Sequence, residues 1–385
     1  MAGMRSMERR DFLGRIAAFG GIGLCGGCRM FGTGDAYSVA VLGDLHYDVA
    51  PDGVYHAAFR KEWDGTGRRT SRNREFARNA ANWSGPTQRM LAASGRCVTS
   101  DTRFVLQLGD LIQGDCDDFP THARMLRDAL ALTTGFYPAG LPFVSVCGNH
   151  DIRDGSDRND IAAAKPYAEV MVPFCRDQLG SMACGTVDGT TFGFRCGPDL
   201  YVAVDYNGGR KVLPAVRRIL DGNRDVRYTF VAVHGGVFPF NCSPDREFFL
   251  GGKADDDVRR EMRALLAGRQ AIVLCGHTHC LELKEAAFPE GTLTEVTMNT
   301  VWKDGSAENP AMPRVLIEGV GAYGTDRARR TPEIEAMFGE YRPYMTRYFL
   351  SNAVGHARLR VSDEGVWFDY FGHDALVPTR TFHLR

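Results

Sequence analysis

Nine side chains able to bind metal or move protons stand directly after short apolar runs: Asp44, His46, Asp110, Asn149, His150, Asp151, His234, His277 and His279. A pair of divalent ions needs a mixed shell of oxygen and nitrogen ligands, with one anionic oxygen able to bridge them. Aspartate at a strand tip can supply that oxygen. Taken singly, each residue also has a bland reading, because a Gly-Asp after a strand is often only a turn and a core histidine often only a hydrogen-bonding residue. The set is what points to chemistry: five of the ten histidines belong to it.

The elements that must position these groups are five strands with one grammar. Tyr37–Leu42 runs into Gly43-Asp44-Leu45-His46 and Phe104–Leu108 into Gly109-Asp110. Phe143–Cys147 runs into Gly148-Asn149-His150-Asp151, Tyr228–Val233 into His234-Gly235-Gly236, and Ala271–Cys275 into Gly276-His277-Thr278-His279. If the strands persist, the two-residue spacing of Asp44 and His46, and of His277 and His279, puts each pair on one side of the pleat. Between the strands, Met125, Leu126, Ala129 and Leu130, then Leu213, Val216, Ile219 and Leu220, then Val258, Met262, Leu265 and Leu266 form apolar stripes at helical spacing. Acidic Asp255 to Asp257 at the start of the last stripe suit a helix dipole. Alternating strands and helices predict a layered α/β domain whose ligands gather beyond the carboxyl ends of its strands.

Residues 48–95, 236–254 and 286–350 read as rim loops, and His356–Val361 with Gly365–Tyr370 as a closing hairpin of period two. No linker rich in proline and serine divides the chain, so residues 37–385 are expected to form one domain.

The 385 residues are 44% hydrophobic and carry a net charge of −1, which gives no nucleic-acid-binding signal. Arg9-Arg10-Asp11-Phe12-Leu13 before the Gly/Ala-rich run Ile16–Leu24 looks like a twin-arginine export signal over residues 1–27, followed by a linker at 28–36. The expected location is therefore the bacterial envelope, periplasmic or held by a lipid anchor at Cys28. Of the eleven cysteines, Cys25 and Cys28 fall in or beside the leader, leaving an odd number that cannot all pair.

The motifs Gly43-Asp44-Leu45-His46, Gly109-Asp110, Gly148-Asn149-His150-Asp151, His234 and Gly276-His277-Thr278-His279, in this order, resemble those of the calcineurin-like metallophosphoesterase family. The resemblance spans roughly residues 37–371 and implies a four-layer α/β/β/α sandwich. It implies that Asp44, His46 and His279 hold one metal, that Asn149, His234 and His277 hold a second, and that Asp110 bridges both. His150 would be an acid that does not ligate metal. Asp151 would either orient it or cap the helix that follows. Two divalent cations, less two aspartates and a bridging hydroxide, leave a formal charge of about +1, which attracts a phosphoester.

Departures narrow the family. After Gly109-Asp110, the run Leu111-Ile112-Gln113-Gly114 lacks the Asp-Arg-Gly ending of Ser/Thr protein phosphatases and has Gln113 where purple acid phosphatases place a metal-binding tyrosine. Manganese, zinc or iron(II) remain as the metal. Arg68, Arg69, Arg72, Arg74 and Arg78 offer contacts to a second phosphate or a solvated helix face. Phe238, Phe240, Phe248 and Phe249 offer stacking on a base or lipid, or packing of a loop. Cys147, Cys275 and Cys280 read as buried thiols. The expected activity is hydrolysis of a phosphodiester or nucleotide-like phosphate, with a phosphomonoesterase or a non-catalytic binding module as alternatives.

Overall fold

The computed structural model describes residues 36–49, 55–56, 67–153, 161–241, 256–300, 316–325 and 331–385, with backbone alone for 67–74, 161 and 256. The twin-arginine segment, Cys28, Phe248, Phe249 and the side chains of Arg68, Arg69, Arg72 and Arg74 lie outside the described residues. No helix among the described residues is long and apolar enough to cross a membrane.

The first half alternates strand and helix. β1 (Tyr37–Leu42) leads to α1 (Gly67–Trp83) and α2 (Pro86–Arg96), then β2 (Thr102–Gln107), α3 (Phe119–Thr134), β3 (Phe143–Ser145) and α4 (Ala164–Leu179). β4 (Phe192–Cys196) and β5 (Asp199–Val204) precede α5 (Val212–Asp221), β6 (Thr229–Val233), α6 (Asp256–Gly268) and β7 (Ile272–Cys275). β8 (Leu281–Phe288), β9 (Gly291–Thr297), β10 (Leu316–Glu318), α7 (Pro332–Tyr341), β11 (Met345–Ser351), β12 (Gly355–Ser362), β13 (Gly365–Gly372) and β14 (Arg380–His383) complete the order.

Two sheets result. The six-stranded one runs β14-β13-β12-β1-β2-β3, and the eight-stranded one β10-β11-β8-β9-β7-β6-β5-β4. In the first, β1, β2 and β3 are parallel; in the second, β5, β6, β7 and β9 are parallel. Parallel strands point their carboxyl ends the same way, which is why the polar strand ends can collect.

Alternation sends Val39, Val41, Phe104 and Leu106 of the first sheet toward Tyr201, Ala203, Phe230 and Ala232 of the second, and these form one buried core between the sheets. A second core packs Val202, Val231 and Val273 against Val216 of α5, Met262 of α6 and Phe338 of α7. A third packs Leu42 and Val105 against Met90 of α2, Met125 of α3 and Met171 of α4. Helices thus cover both outer faces, which makes the four layers α/β/β/α.

Two of the three segments expected as rim loops carry regular structure. Within 48–95, α1 and most of α2 are helical. The apolar stripe of α1 was hard to read because buried Asn79 and Asn82 occupy positions beside Phe76 and Trp83 that apolar residues usually take. Within 286–350, β9, β10 and β11 extend the second sheet and α7 covers it. In the third segment, Phe238 and Phe240 are buried, and Phe238 stacks on Phe288 at 5.7 Å, so these two rings pack the loop rather than meet a ligand. The closing hairpin pairs His356 with Phe371 and Val361 with Val366, with β14 added at its edge.

Candidate metal centre

The strand ends do collect, but not by the pleat. Strands β1 and β7 stop before their histidines, and His46, Asp110, His277 and His279 have φ of 44°, 53°, 73° and 54°. Left-handed backbone is costly for these residue types and recurs at functional sites. Here each such residue turns the chain sharply at a strand tip, and that turn aims its side chain inward.

Hydrogen bonds hold the turns in place. Leu45 and His46 donate their N–H groups to the Asp110 carbonyl, both at 2.9 Å, and the Trp83 indole donates to the Leu45 carbonyl at 2.9 Å. The His277 N–H donates to the Asp44 carboxylate at 3.0 Å. The Asp151 carboxylate accepts N–H groups of Gly148 at 2.8 Å, Asp110 at 2.9 Å and Ile112 at 3.1 Å. Asp151 therefore ties the β2 turn to the β3 turn; its bonds go to backbone rather than to the His150 ring. Two glycines make room for this crowding. A Cβ on Gly148 would lie 2.3 Å from the Asp110 backbone nitrogen, and one on Gly109 would lie 2.5 Å from the His234 ring.

Within this frame, buried Asp110 is common to two clusters. One is His46, Asp110 and His150; the other is Asp110, His234 and His277; the potential ligand atoms of each lie within 4.8 Å of one another. His234 Nε2 is 3.1 Å from Asp110 Oδ2 and 3.2 Å from Asn149 Oδ1. His46 Nε2 is 3.6 Å from Asp110 Oδ2 and 3.3 Å from His279 Nε2, which lies 4.0 Å from Asp44 Oδ2. All nine residues singled out from sequence thus stand at one place; Asp151 forms the support behind it.

The donor set fits divalent cations. His234 donates Nδ1–H to the Leu108 carbonyl at 2.8 Å, so its neutral ring turns a lone pair at Nε2 toward two oxygens that themselves accept. Either a proton or a cation must sit between them, and the imidazole-plus-carboxylate mixture suits zinc, manganese or iron(II). Without a cation, protons do the work. Burial pulls the His234 ring down, but Asp110 and Asp44 outweigh it and lift the ring to about 9. Burial likewise raises Asp110, and His234, His150 and His46 together hold its carboxyl well below the usual range. Burial, with Arg153 beside it, keeps the His150 ring well below the usual imidazole range.

Several neighbours escaped the sequence reading. His150 Nδ1 faces the Gln113 carbonyl at 2.8 Å, and Arg153 Nη2 lies 2.6 Å from His150 Nε2, with Arg153 Nε 3.1 Å from buried Asp115. The Tyr206 ring, at the end of β5, packs against His277 at 5.2 Å and His234 at 5.7 Å. β5 is followed by Asp205-Tyr206-Asn207, without the glycine or histidine that marked the other strand ends. Behind His234, Glu295 accepts the Val237 N–H at 2.6 Å and pairs with Lys284 at 2.6 Å. Cys147, Cys275 and Cys280 are buried thiols, as expected, and no two of the eight described cysteines are joined in a disulfide.

A two-sheet α/β sandwich with a shared aspartate among histidines at its strand ends defines a candidate metal-binding hydrolase site. The sequence match agrees: residues 37–281 fit the calcineurin-like phosphoesterase family, and the chain belongs to it. Among solved structures, PhoD is similar at 10% identity over 91% of this chain and 69% of that one, with a TM-score of 0.48. A dimetal phosphatase from Danio rerio is similar at 12% identity over 91% of this chain and 99% of its own, with a TM-score of 0.44. GAP50, the anchor in the inner membrane complex of Plasmodium, is similar at 10% identity over 91% and 89%, with a TM-score of 0.40. No curated protein matches the sequence.

Proposed function

We propose that the chain is a binuclear metal-dependent phosphoesterase acting on phosphodiesters or nucleotide-like phosphates, with phosphomonoesters as the alternative substrates. The observation that carries the reading is the place of Asp110 in both ligand clusters. Asp44, His46 and His279 would hold one cation, Asn149, His234 and His277 the other, and Asp110 both. Two divalent cations bound there supply an activated water and offset charge that grows on the phosphoryl oxygens.

The chain does the rest. His150, its Nδ1 engaged by the Gln113 carbonyl, turns a lone pair at Nε2 toward Arg153; once an anionic ester beside it favours uptake of a proton from solvent at Nε2, the imidazolium can pass that proton to the leaving alkoxide, which departs poorly as a free anion. Asp151 keeps the Asp110 turn against the β3 turn, so the shared ligand does not drift. Arg153, at the edge of the His150 ring, sets a cation beside the centre that buried Asp115 partly offsets.

Metal analysis of purified protein together with turnover of a chromogenic phosphodiester and its monoester tests the reading. About two cations per chain and a higher kcat/KM for the diester are expected. Metal-loaded protein inert toward diesters, monoesters and nucleotides would instead favour a binding module. Export through Arg9 and Arg10, with acylation at Cys28, is proposed from sequence alone. Changing both arginines to lysine should retain the protein in the cytoplasm, and normal export of that variant would end the twin-arginine reading.

A further inference from the structure

A run of side-chain hydrogen bonds leads from the surface of α1 to His46. Arg78 approaches Asn79 Oδ1 at 3.3 Å, Asn79 Nδ2 donates to Gln113 Oε1 at 2.6 Å, and Gln113 Nε2 donates to Asp115 Oδ2 at 3.3 Å. The same Gln113 Oε1 lies 3.1 Å from His46 Nδ1. Asn79, Gln113, Asp115 and His46 are all buried.

The two ends of this run carry no ambiguity. Arginine can only donate and an ionised aspartate can only accept, so both amides between them have one orientation available. Reversing Gln113 would set its NH2 against the Asn79 NH2 and its oxygen against Asp115. Gln113 therefore shows His46 an acceptor, and His46 must answer with Nδ1–H. Its lone pair is left on Nε2, the nitrogen that faces Asp110 and His279.

We infer that Asn79 and Gln113 are positioning residues that hold His46 in the Nδ1–H tautomer and so preset Nε2 as a metal ligand; the ligand part of this inference rests on the metal-centre reading above. Gln113 occupies the position where purple acid phosphatases place a ligating tyrosine, and it acts through a ligand instead of being one. The carbonyl of the same residue meets His150 Nδ1, so one residue sets the outward nitrogen of both a ligand and the proposed acid. Losing such a support typically weakens metal binding ~10- to 100-fold.

Asn79→Asp provides a test by polarity at constant shape. An aspartate there only accepts, and its 2.6 Å approach to Gln113 is closer than the 3.3 Å one from Asp115, so the Gln113 amide turns over at the expense of its Asp115 bond, presents N–H to His46 and drives the ring to the Nε2–H tautomer. Imidazole nitrogen chemical shifts in metal-free protein should show Nδ1–H at His46 in the wild type and Nε2–H in Asn79→Asp. In cobalt(II) titrations followed by absorbance, the variant should lose ~10- to 100-fold in affinity at the His46 site while the His234 site stays as in the wild type, which also reports an intact fold. Gln113→Met, which offers His46 no acceptor, should lose the Nδ1–H preference and weaken cobalt binding at the His46 site alone.

An unchanged His46 tautomer in Asn79→Asp, or equal weakening of both sites, would overturn the inference while leaving the metal centre standing. Wild-type protein that takes up no cation would overturn the metal-centre reading and the ligand half of this inference together, while the tautomer spectra still decide the other half.

Discussion

The carboxylate of Asp151 accepts a hydrogen bond from the backbone N–H of Asp110 at 2.9 Å, so a residue read as either an orienter of His150 or a helix cap also fixes the turn of Asp110, the proposed shared ligand. It accepts two further N–H groups, and burial with the Asp110 charge nearby pushes its carboxyl up to about 7. Asparagine in its place would set an NH2 against a backbone donor. Asp151→Asn should lose about 1–3 kcal/mol of stability in denaturant unfolding and bind cations more weakly. Wild-type stability in that variant would remove the bracing role.

His150 is flanked by the His46 ring, with centroids 4.4 Å apart, and by Arg153, yet it stands outside the proposed ligand set. His150→Gln should lower kcat by at least ~100-fold, the usual size of a lost general acid, with metal content unchanged. Simultaneous loss of a cation would make the residue a ligand.

Asp110→Asn removes the charge shared by both clusters, while Asp44→Asn removes a carboxylate proposed for the His46 cation alone, although it also lies 3.4 Å from His234 Nδ1. Metal analysis after dialysis should find neither cation retained in the first variant and the His234 cation retained in the second. Equal stoichiometry in the two variants would argue against a shared ligand.

Lys284 is fully buried between Glu295 at 2.6 Å and Glu282 at 3.5 Å, under the face of Phe240 at 3.8 Å. Lys284→Met would leave two buried carboxylates facing one another. A loss of about 3–5 kcal/mol is expected, as for other broken buried pairs, and the His234 segment held by Glu295 should loosen with it. A variant as stable as wild type would mean that the carboxylates neutralise themselves by taking up protons.

A pH effect should arise far from the centre. Burial lowers the His356 ring from 6.5 to about 4, and the ring, stacked on Phe371, donates Nε2–H to the Ala375 carbonyl at 3.0 Å. A carbonyl accepts, so Nε2 carries the proton of a neutral ring. Because the folded pKa lies below the unfolded one, the unfolded chain binds more protons between these values. The contribution of His356 is therefore complete above pH 6.5 and is lost as pH falls toward about 4, by up to ~3 kcal/mol. Denaturation midpoints of His356→Phe should fall less steeply across that window; parallel curves for the two proteins would contradict the assignment.

The local order was written in the sequence. β1 runs over Tyr37–Leu42 as read, and the strands before Asp110, His234 and His277 differ from their expected bounds by a residue or two. Apolar alternation and terminal glycines act between near neighbours, so they are visible without a fold. The Arg/Asn-rich helix α1 was not visible in that way, since its buried face is completed by Asn79 and Asn82, whose partners lie elsewhere in the chain. The strands between residues 291 and 351 escaped for a related reason: β9 lies between β7 and β8, β11 pairs with β8 and β10 with β11, and these pairings exist only once the second sheet forms.

The residue types at five strand ends were determined by the sequence alone, and with them the kind of chemistry that mixed carboxylates and imidazoles can support. Tertiary structure decided how they meet. The left-handed turns at His46, Asp110, His277 and His279 are each unfavourable locally and persist only where hydrogen bonds from other turns compensate. The same holds for the direction of each ring nitrogen. Histidine alone has no preference that its spacing reveals; Leu108, Gln113 and Asn79, brought from distant parts of the chain, assign which nitrogen faces inward.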